Sequence, residues 1–298
     1  STLMRSSAAS DVYKRQEHTG EYWAISAHPN GVSYVKNGKY AGFHLAELYK
    51  DNPELFGNPK TSVFPLLTKI LDANDWLSVQ VHPDDAYGLE HEGELGKTEC
   101  WYIIDAEEGA EIIYGHKAKT KEELASLIEA GDWDGLLSKT PVKKGDFFFV
   151  PSGTMHAIGA GIMVLETQQS SDTTYRVYDF DRKDDQGNLR ELHLEKSIDV
   201  LNIGEPANSR PVTTKVDDLK STLLVAGDFF AVYKWKISGK ADFEKTADYS
   251  LFSVLDGQGS LLVDDQEYPI AKGSHFILPS DVEAWQIKGN LELIVSHP

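Results

Sequence analysis

The segment Gly145-Asp-Phe-Phe-Phe-Val-Pro151-Ser-Gly153-Thr-Met-His156 predicts a buried strand that stops at Pro151, turns at Gly153 and delivers a histidine into an enclosed space. A histidine presented off a tight turn is a natural metal ligand. Upstream, on another apolar run, stand Gln80-Val-His82-Pro83 and then Lys97-Thr-Glu99-Cys-Trp. Gln80 and His82 are alternate residues of a strand and therefore share one face. Gln80, His82, Glu99 and His156 together make a mixed nitrogen and oxygen donor set, which suits zinc or another borderline divalent ion better than calcium or a thiolate centre. Taken singly, each of these residues is more often an ordinary polar group, and only the constellation argues for a metal. The remaining histidines, His18, His28, His44, His91, His116, His193, His275 and His297, lack such turn chemistry and read as structural or solvent-facing.

The elements that hold these residues follow from the same patterning. Short strands rich in Gly, Pro and aromatic residues recur along the chain and helix signals are few, so an all-β architecture with small helical insertions is expected. Three helices are predicted. One is short, around His44-Leu-Ala-Glu-Leu-Tyr49; one begins at Thr120-Lys-Glu-Glu123, a capping box with Leu124, Leu127 and Ile128 on its apolar face; one starts near Glu195. An internal echo stands out: Tyr268-Pro-Ile-Ala-Lys-Gly273-Ser-His-Phe-Ile-Leu-Pro279-Ser repeats the pattern of Thr140-Pro-Val-Lys-Lys-Gly145-Asp-Phe-Phe-Phe-Val-Pro151-Ser. In the second copy Asp281 replaces the turn glycine and Ala284 stands where the histidine belongs, so the repeat keeps its strand and loses its ligand.

With those residues in view, the Gly145–His156 segment resembles the second motif of the cupin superfamily, and Gln80 to Glu99 resembles its first motif with Gln in place of the usual first His. More narrowly, Ser78-Val-Gln-Val-His-Pro83, Lys97-Thr-Glu99-Cys-Trp101, Pro151-Ser-Gly-Thr-Met-His-Ala157 and Ser171-Asp-Thr-Thr-Tyr-Arg176 resemble the type I mannose-6-phosphate isomerases in their short bacterial form, from about Gly20 to the C-terminus. The resemblance implies one Zn2+ per chain on Gln80, His82, Glu99 and His156, with water or substrate completing the shell. It implies active-site basic roles for Lys97 and Arg176 and places Ser78, Glu166 and Asp172 near the site. It also departs from the family: the usual Trp-Gly-Gly turn of the first strand is absent, and residues 1–16 look unrelated to that strand, so they are expected to be non-native.

The expected architecture is two cupin-like, jelly-roll β-barrels: a metal-bearing catalytic domain over 17–205 and a degenerate, metal-free domain over 206–298. The stretch Gly204-Glu-Pro-Ala-Asn-Ser-Arg-Pro211 has the composition of a linker between them. With 298 residues, 41% of them hydrophobic and 10% aromatic, the chain can bury a sizeable core. No apolar run approaches the length needed to span a membrane, and no leader pattern opens the chain. A single cysteine, Cys100, excludes an internal disulfide and points to a reducing compartment, so the cytoplasm is expected. The net charge of −18 argues against nucleic acid as a partner. It does not argue against an anionic sugar phosphate, because screening confines distant charge and a few basic groups in a cleft set the local field. A monomer or weak homo-oligomer is expected.

The implied reaction, an aldose–ketose isomerisation, moves a proton between C1 and C2 of an open-chain sugar through an enediol. It requires a general base, stabilisation of charge on oxygen and an anchor for the phosphate. Arg176, permanently charged and able to make two-pronged contacts, suits the oxygen charge or the phosphate, and Lys97 is the second choice. For the base, Glu166 on the Ile162–Gln168 run and Asp172 stand level. Each also has a bland reading, Glu166 as a partner of a ligand and Asp172 as the residue that orients Arg176. Lys97 and a ligand-bound water are further candidates. Two other functions fit the same scaffold, an iron oxygenase and a non-catalytic sugar-binding protein. Gln80 in place of an imidazole together with Lys97 and Arg176 disfavours the first, and intact ligand spacing disfavours the second. No dinucleotide is expected, since Gly257-Gln-Gly259 runs on into strand-like Ser-Leu-Leu-Val.

Overall fold

Alternation of side chains in short β-rich segments produces three sheets in the computed structural model, which describes Met4–Ala8, Tyr13–Gln16 and residues 19–298, with side chains from Gly20 onward. The segment 1–16 therefore lies partly, and His18 wholly, outside the described residues. The protein is mostly β, as its patterning predicts, and contains a cupin domain. By internal contacts the chain divides into two units, one of residues 1–13, 22–69 and 209–298, the other of residues 14–21 and 70–208.

In the second of these units Phe147–Val150, Glu99–Ala106 and Ile162–Gln169 are neighbours, in that order, in a six-stranded sheet. A five-stranded sheet runs Tyr175–Tyr178, Val79–Val81, His156–Ile158, Glu111–His116, Leu137–Pro141. Each order is an open list rather than a ring. Ile112 and Ile158 of the smaller sheet share one core with Trp101, Ile103, Phe148 and Val164 of the larger, so the two sheets bury their apolar faces on each other. On the other face of the smaller sheet Val79, Val81, Ile113 and Ala157 pack against Leu124 and Ile128 of a covering helix.

That helix, Lys121–Ala130, is capped as expected: Thr120 Oγ1 accepts from Glu123 N at 3.1 Å. The return bond of the box differs, since Glu123 Oε2 accepts from Lys119 N at 3.2 Å, one residue before the cap, where the incoming chain offers its amide. The predicted helices at His44 and Glu195 are present as Leu45–Asp51 and Leu194–Val200. Asp85–Glu92 is a further helix that periodicity did not reveal. Only Gly88 is buried along it, so it carries no apolar stripe; Asp84 caps its start and the left-handed Gly93 ends it.

The other unit explains why residues 22–69 group with the C-terminal strands. Phe56 and Phe64 pack on Tyr249 at ring separations of 5.2 and 5.7 Å, and Ser280 N donates to Leu55 O at 2.7 Å. Its largest strands, Ala231–Glu244, Ser250–Val263 and Ala284–His297, run through 14 residues each in one continuous sheet. Gly257 lies inside Ser250–Val263, with φ at +81° and the Asn290 carbonyl 1.9 Å from where a Cβ would stand, so no other residue fits.

The internal echo is present in backbone detail. Gly145 N donates to Ile103 O at 2.9 Å and Gly273 N to Val254 O at 3.0 Å; Thr154 N donates to Pro151 O at 3.2 Å and Val282 N to Pro279 O at 3.1 Å. His156 and Ala284 each begin a strand. The register adds a second loss: Val150 pairs with Glu99 in the first copy, and the matching Leu278 pairs with Ser250 in the second.

Candidate metal centre

Cross-strand register assembles the site. His156 lies directly opposite Gln80, and Gln80 directly opposite Arg176, so the three form one row across the smaller sheet and face the same way. From the larger sheet Glu99 enters on the row Val150, Glu99, Gln168, and Trp101 on the neighbouring row Phe148, Trp101, Glu166. His82, just past the end of Val79–Val81, completes the group. His156 can face inward because Gly153 turns the chain with φ at +87°, the left-handed conformation that glycine tolerates best.

The ligand atoms of His82, Glu99 and His156 all lie within 4.8 Å of one another, and each residue is only 1% exposed. Glu99 Oε1 is 3.1 Å from His156 Nε2, and Glu99 Oε2 is 3.5 Å from both His82 Nε2 and Lys97 Nζ. The tautomers follow from the backbone. His82 Nδ1 is 3.0 Å from Thr173 O and His156 Nδ1 is 2.9 Å from Thr154 O; a carbonyl only accepts, so both Nδ1 atoms carry a proton and both Nε2 atoms are turned to the carboxylate. His82 Nε2 and both Glu99 oxygens are buried with no hydrogen-bond partner. Converging acceptors that lack hydrogen-bond partners repel, and a cation bound among them removes the repulsion. The residues present therefore fit a metal ion.

Electrostatics agree. Burial, reinforced by the Lys97 charge, pushes the His82 imidazole down to about 3, so it is a neutral lone-pair donor at ordinary pH. Burial alone raises the Glu99 carboxyl, but the positive charges around it, Lys97 first, outweigh that and hold it well below the usual carboxylate range. The fourth expected ligand, Gln80, is adjacent: its Nε2 is 3.4 Å from His156 Nε2 and its Oε1 accepts from Ser78 Oγ at 3.3 Å. A half-turn of the amide aims Oε1 at the centre and leaves Nε2 towards Ser78.

Lys97 is buried against Glu99. Arg176 is half-buried, its Nη1 donating to Glu191 O at 2.7 Å, while its Nε is buried with no hydrogen-bond partner. Burial and then the Arg190 charge lower its pKa, yet a guanidinium stays charged. Glu166 is buried, and its Oε1 accepts from Trp101 Nε1 at 2.9 Å. Asp172 is exposed, and its backbone N–H donates to Glu94 Oε1 at 3.0 Å.

The structure adds participants that residue patterns do not disclose. The Trp101 indole stands edge-on to His156 at 5.4 Å between ring centres and so carries the Glu166 contact to the ligand. The Thr154 and Thr173 carbonyls set the two tautomers, and a backbone oxygen leaves no mark in sequence. Other histidines have structural work: His44 caps a helix, His116 bonds the Asn202 carbonyl and His275 bonds Ser253.

Residues 1–105 match the catalytic domain of type I phosphomannose isomerases, and residues 220–298 match the mannose-6-phosphate isomerase cupin domain. The chain is 69% identical over 281 residues to a mannose-6-phosphate isomerase of Streptococcus mutans, covering 94% of this chain and 89% of that one. It is 53% identical over 283 residues to mannose-6-phosphate isomerase ManA of Bacillus subtilis, covering 94% and 90%. Its fold matches the crystal structure of the mannose 6-phosphate isomerase from Bacillus subtilis with a TM-score of 0.95 and 43% identity over the whole of both chains. Sheet register, buried acceptor cluster and near full-length identity converge, and the chain belongs to the type I mannose-6-phosphate isomerase family of enzymes.

Proposed function

We propose that the chain interconverts mannose 6-phosphate and fructose 6-phosphate by proton transfer between C1 and C2 through an enediol, with one Zn2+ held by Gln80, His82, Glu99 and His156. The observation that carries this reading is the buried cluster of two Nε2 atoms and a carboxylate within 4.8 Å of one another, in which His82 Nε2 and both Glu99 oxygens have no hydrogen-bond partner. A bound zinc would supply Lewis acidity for the sugar oxygens. The chain's own residues do the rest. Arg176, on the row of Gln80 and His156, takes the charge that develops on the sugar oxygen or holds the phosphate, and Lys97 adds a second positive charge beside Glu99. Ser78 holds the Gln80 amide in place. Of the two carboxylates, buried Glu166 is the anchor for Trp101 and through it His156, which leaves exposed Asp172 as the candidate base beside Lys97 and a bound water.

We read the chain further as two jelly-roll barrels, a metal-bearing catalytic domain over 17–205 and a metal-free one over 206–298, with residues 1–16 non-native. The absence of Glu99 and His156 counterparts at Ser250 and Ala284 supports a silent second domain. A monomer or weak homo-oligomer in the cytoplasm, acting on a sugar phosphate rather than on nucleic acid or a membrane, fits the lone buried Cys100; among the described residues no helix is long and apolar enough to cross a membrane.

The experiment is metal analysis paired with turnover on mannose 6-phosphate. Wild-type protein should hold one zinc per chain, and His156→Ala should lose both metal and activity. Zinc-loaded wild-type protein inert on both sugar phosphates would overturn the isomerase reading.

A further inference from the structure

The carbonyl that sets the His82 tautomer belongs to Thr173, in a segment with no regular secondary structure that joins the strands Ile162–Gln169 and Tyr175–Tyr178. An irregular backbone holds a carbonyl in place only if something holds the backbone. Three acidic residues do so from one stretch of chain, the helix Asp85–Glu92 and the turn behind it. Asp85 Oδ1 accepts from Gln169 Nε2 at 2.9 Å, and Glu92 Oε1 accepts from the Tyr175 hydroxyl at 3.1 Å, one at each end. Between them Glu94 uses both oxygens: Oε1 accepts from Asp172 N at 3.0 Å and Oε2 from Thr173 Oγ1 at 2.9 Å. Glu94 alone of the three bonds the Thr173 side chain and the backbone of the residue before it, while Thr173 N donates to Ser171 Oγ at 3.2 Å.

We propose that Glu94 is a positioning residue for the metal centre. Its carboxylate clamps Asp172 and Thr173 so that the Thr173 carbonyl faces His82 Nδ1. The proton stays on that nitrogen, and the Nε2 lone pair stays directed at Glu99. The inference rests on the metal-site reading above. Without the clamp, the carbonyl can rotate away and the neutral imidazole redistributes between its two tautomers, one of which has a proton where the ion binds. A contact that merely stapled the segment would affect stability and nothing else. The two roles are thus separable by measurement.

The test uses the full chain carrying Glu94→Ala and, as the conservative variant, Glu94→Gln. Gln keeps one acceptor oxygen but cannot accept from the Asp172 amide and the Thr173 hydroxyl through separate oxygens. In zinc-stripped protein, 15N chemical shifts of His82 should report a single Nδ1–H tautomer in the wild type and a mixture in Glu94→Ala. Competition with a chromophoric chelator should show the zinc Kd raised about tenfold in Glu94→Ala and less in Glu94→Gln. A Glu94→Ala protein with lowered Tm but the wild-type His82 tautomer and a zinc Kd within about twofold of wild type would overturn the proposal and leave only a staple. Should Glu94→Ala not fold, Thr173→Val, which removes the hydroxyl contact and keeps the carbonyl, is read by the same two measurements. Wild-type protein with no zinc affinity would sink the metal reading, while the tautomer measurement would still decide the role of Glu94.

Discussion

His82 and His156 each commit Nδ1 to a backbone carbonyl and leave Nε2 to the site, so residue identity alone does not make the ligand; the second nitrogen's partner does. The same logic separates the two sites of positive charge. Lys97 is locked against Glu99, whereas Arg176 has one nitrogen on the Glu191 carbonyl and a buried Nε without a hydrogen-bond partner, on the row of Gln80 and His156. On the proposed role, in which its charge acts on the sugar oxygens, Arg176→Ala should lower kcat by about a hundredfold or more. Zinc content should stay at the wild-type level, since Arg176 is not a ligand. Steady-state kinetics with mannose 6-phosphate beside metal analysis checks both, and unchanged kcat and KM would refute the assigned role.

At the scale of elements, the turn at Gly153 places the ligand. Its φ of +87° disfavours any side chain, and an added Cβ would stand 2.5 Å from Asn202 Nδ2, whose side chain donates to the Ser152 carbonyl. Gly153→Ala should destabilise the protein by roughly 1–3 kcal/mol through backbone strain and the displaced Asn202. It should also reduce zinc occupancy, because His156 begins the strand that leaves this turn. Thermal unfolding and metal analysis of the variant test the two effects separately. A variant as stable and as fully loaded as wild type would show that the turn does not aim the histidine.

For the whole molecule, the two copies of one strand-and-turn pattern differ: the first carries the buried donor set, and the second has Ala284 in the place of His156 and a buried His275 where the first has Phe147. His275 sits with Nδ1 at 2.8 Å from Ser253 Oγ, and burial lowers its pKa from 6.5 to about 4. The folded state thus binds this proton less readily than the unfolded chain. The stability tied to a neutral His275 is complete above about pH 6.5 and is lost as pH falls towards 4. His275→Gln should remove about 2 kcal/mol of the stability lost between about pH 7.5 and pH 5, read from urea unfolding at both values. Turnover and the proposed content of one zinc per chain should be nearly unchanged, and a second stoichiometric ion lost with His275 would contradict a silent second domain.

Some of this was already written in the order of residues. Period-two alternation, the Pro151–Gly153 turn and the spacing of Gln80, His82, Glu99 and His156 determined a mostly β chain with a metal-type donor set, because strand geometry links neighbours in sequence to faces in space. The degenerate second copy was legible for the same reason, at Asp281 and Ala284. Register is a different matter: which strands pair, and residue against residue, depends on contacts between distant segments. Only the tertiary structure put Arg176 beside Gln80, Trp101 between Glu166 and His156, Ser250 in the place of Glu99, and residues 22–69 with the C-terminal strands. It also decided the histidine tautomers, since the deciding groups are backbone carbonyls of Thr154 and Thr173, and every residue type carries the same carbonyl.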